Sequence, residues 1–398
     1  MKKNPVYLIL MLFVLAGCIE PYNAKTDSID SILVVEGIIT GETTQITLSK
    51  SVGLDESLAG EENMDKFAVN HAVVYVECED GAKSAETYSS GGGKYLIETG
   101  ELNPDKKYRL AIHLEGEEYH SSFVAPAVSP PVEVSFTCDA SLIHVCVTTY
   151  GHENQPGYYL WSFKEDWEIT ATMYGDYASI NGRLVFNNLD SPNNRYYCWK
   201  KDSSMNLILG TTEKLIENTI REKRIHSFRR TDDRSSFLYR VIVQQNTIHK
   251  EAYDFFNNLK KNIEQTGSIF GAIPSEIMGN IRCVSNPAIP VIGYVDVSSS
   301  ASDEQYLNNI YYHSVTLSGN IRDCEASILE NPDLESLFGY ILYRSTKEIK
   351  ADPDNEDEID VIIGDGSGDD YYIPVRCVDC TKNGGSKRKP KNWDNDHQ

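Results

Sequence analysis

Residues 91–123 read GGGKYLIETGELNPDKKYRLAIHLEGEEYHSSF, and this stretch decides the fold. Gly91-Gly92-Gly93 opens it as a loop whose last glycine permits a tight entry into a strand. The triplet is no phosphate cradle, because it does not open a helix and no Lys-Ser/Thr pair follows it. Beyond it, Tyr95, Leu110 and Ile112 take alternate positions along their runs, a period of two that sends them to one buried face. Leu102-Asn103-Pro104 interrupts the pattern as a turn. Strands are therefore expected at Gly93–Ile97, Tyr108–Leu114 and Glu118–Phe123.

Working outward, Ile32–Ile39, Gln45–Ser49 and Ala72–Glu77 carry the same alternating or continuous apolar runs, separated by Gly and acidic turns. The order of glycine, tyrosine, apolar position, Leu-x-Pro and a second tyrosine resembles the transthyretin-like and carboxypeptidase-regulatory β-sandwich modules. The resemblance implies an Ig-like sandwich over residues 32–126. Ala125–Pro131 (APAVSPP) is proline-rich and marks a boundary.

Residues 127–398 are expected to form a larger, strand-dominated domain with a few helices, which makes the whole chain mainly β. Strands are expected at Tyr158–Phe163, Arg183–Phe186, Leu207–Leu209, Phe237–Gln244, Pro290–Val297 and Tyr311–Leu317. His249–Thr266 reads as a helix, because Ala252, Phe255, Phe256, Leu259 and Ile263 share one face and Gly267 follows the end. Thr212–Arg221 is a second helix candidate, opened by a capping hydroxyl.

The first residues give the address. Lys2 and Lys3 precede an apolar run, Val6–Ala16, too short to span a bilayer. It ends in Leu15-Ala16-Gly17-Cys18, which resembles the bacterial lipobox, so residues 1–17 are expected to be a signal peptide and Cys18 the lipidated residue. Polar residues 18–31 then form a tether. Acyl chains contribute about 0.8 kcal/mol per buried methylene, enough together for stable anchoring. The formal charge of -22 becomes -24 once Lys2 and Lys3 are removed. Such an acidic surface argues against nucleic acid and against charge-driven binding to anionic membranes.

Nine cysteines less Cys18 leave eight, an even number suited to disulfides in an exported chain. Cys138 and Cys146 flank a short turn and are positioned to meet across a hairpin. Cys324, Cys377 and Cys380 lie in the last quarter. Cys377-Val-Asp-Cys380 has the spacing of half a zinc knuckle, but a second such pair is missing, so disulfides or free thiols outweigh zinc.

Other candidates for chemistry are few. Residues 351–370 hold nine carboxylates in twenty positions, and Asp352, Asp354, Glu356 and Asp360 are spaced to offer oxygens to calcium. The loop lacks the glycine and terminal glutamate of an EF-hand, which favours a solvated acidic loop with no cofactor. Aromatics gather at Tyr158, Tyr159, Trp161 and Trp167, and at Tyr196, Tyr197 and Trp199. Trp161 and Trp199 are the candidate ligand platform, against the alternative of core packing. Arg221–Arg234 has six Lys or Arg against three acids, a surface for an acidic partner or for pairing within the molecule. No HExxH, Walker A or nucleophile elbow is present, so no catalytic residue is expected.

Several blocks together resemble an envelope lipoprotein family of Bacteroidetes known as domain of unknown function 4249. They are Tyr196-Tyr197-Cys198-Trp199, Glu251–Phe256, Gly267–Phe270, Pro274-Ser275, Gly279–Ile281, Asn286-Pro287, Ile292–Tyr294, and Cys377–Thr381 with Gly384-Gly385, Lys389-Pro390 and Trp393. The resemblance implies an outer-membrane lipoprotein that acts without catalysis, as a ligand-binding partner of a TonB-dependent transporter. Alternatives are an envelope adhesion or structural module, or a glycan or peptide hydrolase.

Overall fold

The computed structural model describes residues 32–51, 66–151, 155–172, 177–180, 183–186, 194–265, 279–308, 361–364, 370–373 and 379–393. The expected signal peptide and tether with Cys18, Cys324, Cys377, the strand expected at 311–317, and Asp352, Asp354, Glu356 and Asp360 lie outside them. The chain is mainly β. In order come β1 (Leu33–Ile39), β2 (Glu42–Lys50), β3 (Val73–Cys78), β4 (Lys94–Gly100), β5 (Tyr108–Leu114) and β6 (Glu117–Ser121). There follow β7 (Val132–Cys138), β8 (Leu142–Tyr150), β9 (Tyr158–Thr170), β10 (Tyr177–Ile180), β11 (Arg183–Phe186), β12 (Tyr197–Ser203), β13 (Ile208–Thr211), β14 (Thr219–Arg229) and β15 (Leu238–Thr247). The α-helix among the described residues, α1 (Lys250–Gln265), precedes β16 (Ile281–Cys283), β17 (Val291–Gly293), β18 (Asp296–Val297), β19 (Ser300–Asn308), β20 (Val361–Gly364) and β21 (Asp370–Ile373).

The alternation in residues 91–123 becomes a sandwich. One sheet has the order β17-β1-β2-β4, with β18 also on β1, and the other has the order β16-β6-β5-β3. Tyr95, Leu110 and Ile112 all enter the core between the two sheets, beside Val35, Ile46, Leu48 and Val74. Tyr95 is fully buried, so its hydroxyl needs partners: it donates to the Val69 carbonyl at 2.7 Å and accepts from Ala72 N–H at 3.1 Å. Gly93 has φ +69°, and a Cβ there would lie 2.2 Å from the Leu48 carbonyl oxygen, which is why the entry to β4 needs glycine.

The chain does not divide at residue 126 as expected. Residues 281–297, read as part of the larger domain, return to the first sandwich: β17 and β18 pair in parallel with β1, and β16 pairs with β6. Ile281, Cys283, Val295 and Val297 fill the first core. The return depends on close backbone approach, since a Cβ on Gly279 would fall 1.7 Å from the Gly293 carbonyl oxygen.

The second sandwich packs β12-β9-β15-β19, with β13 also on β9, against β14-β8-β7. Trp161, Phe163, Trp167, Tyr239 and Val241 meet Val134, Ile143, Val145, Val147 and Phe228 in its core. Helix α1 falls where its apolar face places it. Ala252 and Phe256 pack with Tyr158 and Leu209 of the second sandwich and with Ile38 and Tyr294 of the first, so the helix sits at the junction. His249 begins it: its N–H and Nδ1 both contact the fully buried Asp296 carboxylate, at 2.7 and 2.8 Å.

Two further expectations are corrected. Residues 212–221 form no helix; they run as a turn into β14. Thr212 does cap, but its hydroxyl accepts from Gly157 N–H at 2.7 Å and donates to the Asn218 side chain, closing a loop. With Ile216 fully exposed there is no apolar face for a helix to bury, while Thr219 and Ile220 pair with β8. Cys138 and Cys146 do not join either. Cys138 stands opposite Ile143 and Cys146 opposite Ser135, so the pleat sends the two sulfurs to opposite faces. Both are free thiols, Cys146 buried and Cys138 exposed.

Candidate functional site

The disulfide that does form is Cys198–Cys380, linking residues 182 apart with Cα atoms 5.8 Å from each other. Cys380 was among the residues expected in disulfides and Cys198 was not; local spacing holds no signal for a bond across this distance. The bridge, itself within the core of the second sandwich, pins residues 379–393 as a strap along edge strand β12. Ser386 pairs with edge strand β12 through two backbone hydrogen bonds with Trp199, at 2.8 and 2.9 Å. Further along, the Arg240 guanidinium donates to the Lys391 carbonyl at 2.7 Å and to Asp166 at 2.6 Å, and Trp393 packs by Tyr306 and Arg240.

Of the two aromatics expected as a platform, the core takes up Trp161. Trp161 is 1% exposed, with its indole N–H donated to Gln245 at 2.9 Å. Trp199 lies beside the strap, with the Lys387 ammonium 5.7 Å above its ring. Trp161 therefore offers no open face, while Trp199 stays partly exposed beside the strap. Opposite Trp199 stands Glu168, which burial pushes up to about 7 against the lowering influence of Lys389 and Lys387. Lys387 is itself pushed down to about 8, chiefly by burial.

Part of the basic run turns inward. Glu165, 1% exposed, accepts from Arg234 Nε at 2.9 Å and Nη2 at 2.7 Å, and from the Tyr239 hydroxyl at 2.6 Å. Burial works to raise its pKa, but bonds from His226, Arg234 and Tyr239 outweigh it and hold the carboxyl at about 2. Arg234 also stacks 4.3 Å over Trp167 and pairs with Asp202 and Asp232. This network holds the sandwich together from inside.

The other end of the run forms an open groove of about 730 Å³, lined by Gly210 and Thr211 of β13, the 214–217 turn, and Thr219, Ile220, Arg221 and Lys223 of β14. Its floor is set by packing: Gly210 lies against the Trp161 ring, and a Cβ there would sit 2.5 Å from it. Leu215 and the fully exposed Ile216 form an apolar lip. Around them are three cations, Lys214, Arg221 and Lys223, and one carboxylate, Glu217, which Arg221 holds at 3.0 Å. Lys223 is pushed below its ordinary pKa by burial and by the Lys260 ammonium. The groove can therefore receive a ligand with negative charge and an apolar element. Sequence reading missed it, having assigned these residues to a helix; the legible sign was Leu215-Ile216 set among charges with no periodic partner.

Among the described residues no group of three or more His, Cys, Asp or Glu is placed to hold a metal, and no helix is long and apolar enough to cross a membrane.

Two β-sandwiches, with an open groove on the second, define a mainly-β sandwich architecture. The chain belongs to the family described as Domain of unknown function (DUF4249), which it matches over residues 19–304. The block at 377–393 lies beyond that match. No curated protein matches the chain. Among solved structures, the native conformation of E. coli alpha-2-macroglobulin is similar at 12% identity and a TM-score of 0.14, covering 54% of this chain and 12% of that one. The chain thus spans about an eighth of that protein's length, and a likeness of this size carries no argument.

Proposed function

We propose that this chain is a lipid-anchored, non-catalytic binding subunit of the outer membrane, held by Cys18 and presented at the cell surface as a partner of a TonB-dependent transporter. The observation that carries the reading is the groove at β13 and β14, where an apolar lip and three cations stand open on a chain of charge -22. A surface that departs so far from its surroundings in sign and polarity suits recognition. The Cys198–Cys380 bridge fits an oxidising, extracytoplasmic setting. The Leu15-Ala16-Gly17-Cys18 segment supplies the anchor.

The test is a detergent pull-down of the tagged native chain from outer membranes, with mass spectrometry of what accompanies it. A stoichiometric TonB-dependent barrel that survives salt washing is the expected result. Recovery of the chain alone, folded and in good yield, would overturn the transporter reading and leave an adhesion or spacer module in its place.

A further inference from the structure

We infer that the groove between β13 and β14 takes an extended acidic peptide, a stretch of a partner protein in which carboxylates flank an apolar side chain. The inference rests on the binding-subunit reading and names the chemistry of its partner.

Charge is the first argument. Lys214, Arg221 and Lys223 face one carboxylate, and that carboxylate is already engaged by Arg221. The excess is positive, on a molecule whose total is -22, so an anionic ligand is drawn to this place rather than spread over the surface. Lys223 is half-buried between the strand and Lys260, and a carboxylate arriving there restores the stabilisation that lost water had supplied.

Shape is the second. Among the described strands, β14 pairs only with β8 and is the outer strand of its sheet. Bulges between Ile220 and Lys223 and between Arg224 and His226 break its register and bend it. The space beside it, about 730 Å³, suits a few residues of extended chain. The Leu215–Ile216 lip gives an apolar side chain of that peptide a place to pack. A second copy of this chain is a poor occupant, because its own β14 brings the same cations.

The experiment uses the full chain with Cys18→Ser, so that no acyl group confounds a lipid control. A fluorescent peptide alternating Glu and Val is titrated by anisotropy, beside a peptide alternating Lys and Val and beside phosphatidylglycerol vesicles. The acidic peptide is expected to bind and the basic one to be ignored. The double variant Lys214→Glu with Arg221→Glu is expected to weaken binding by about tenfold or more, and added salt to act in the same direction. Both side chains are exposed, so an unchanged thermal melt is expected and would certify the fold. Equal binding of both peptides, or undiminished binding by the variant, overturns the inference. Vesicle binding that the variant loses, with no peptide binding, overturns it in favour of lipid. A transporter that co-purifies with a chain indifferent to the acidic peptide sinks this inference alone; peptide binding without a transporter supports it and sinks the transporter reading alone.

Discussion

Glu168 is the residue whose environment makes the sharpest demand. Its folded pKa is about 7, against an ordinary 4.5, because burial disfavours the charged form. Between those two values the folded chain holds a proton that the unfolded chain has released. Stability is therefore greatest below pH 4.5, falls as the pH rises through the window to about 7, and is flat in this respect above it. The full effect is of order 3 kcal/mol. Glu168→Gln, which stays neutral, is expected to remove that slope, leaving stability little changed in acid and raised at alkaline pH, as read by urea unfolding across the range. Glu165, one turn of the pleat away on the opposite face, runs the other way. Its carboxyl is held at about 2, so its contribution is present above 4.5 and fades as the pH falls through the folded value. No property of the sequence around Glu165-Asp166-Trp167-Glu168 separates these two glutamates; the pleat and the strap do.

Strand β13 shows how an element can be short and still hold a site in place. It pairs with β9 opposite Tyr158–Trp161, and Gly210 is the residue that lets the Trp161 ring lie beneath the groove. The ring is tied by its bond to Gln245, which in turn donates to the Pro130 carbonyl and Thr149, so it has little freedom to retreat. Gly210→Ala is expected to destabilise the chain by about 1 to 3 kcal/mol, the usual cost of overpacking, whereas Lys214→Ala on the exposed lip should change stability by roughly 0.5 kcal/mol or less. Thermal melts of the two variants check this. The strands of the first part were legible because Tyr95, Leu110 and Ile112 obey a period of two and one face is buried. Helix α1 was legible because Ala252, Phe255 and Phe256 obey the helical period. The groove was not, because the turn at 212–218 is closed by side-chain bonds of Thr212 and Asn218, which compete with backbone structure and leave no periodic trace.

On the scale of the whole molecule, two long-range ties organise the chain, and neither is written in local spacing. The Cys198–Cys380 bridge secures the strap to β12. Cys198→Ser is expected to cost about 2 to 5 kcal/mol and to raise the proteolytic sensitivity of residues 379–393 ahead of the rest, which limited digestion followed by mass spectrometry would resolve. Uniform digestion with no early C-terminal cut would contradict that role. The other tie is the return of residues 281–297 to β1 and β6. A chain that emerges N-terminus first makes β1 to β6 early, yet those strands lack the parallel partners of β1 and the last apolar residues of their core until nearly three hundred residues are out. The second sandwich waits longer still, because β19 and the core residues Leu307 and Cys380 are made after β18. Neither core is complete until the last third of the chain is made, and the earliest-made surface waits longest in a sticky, half-paired state where a chaperone has most to shield.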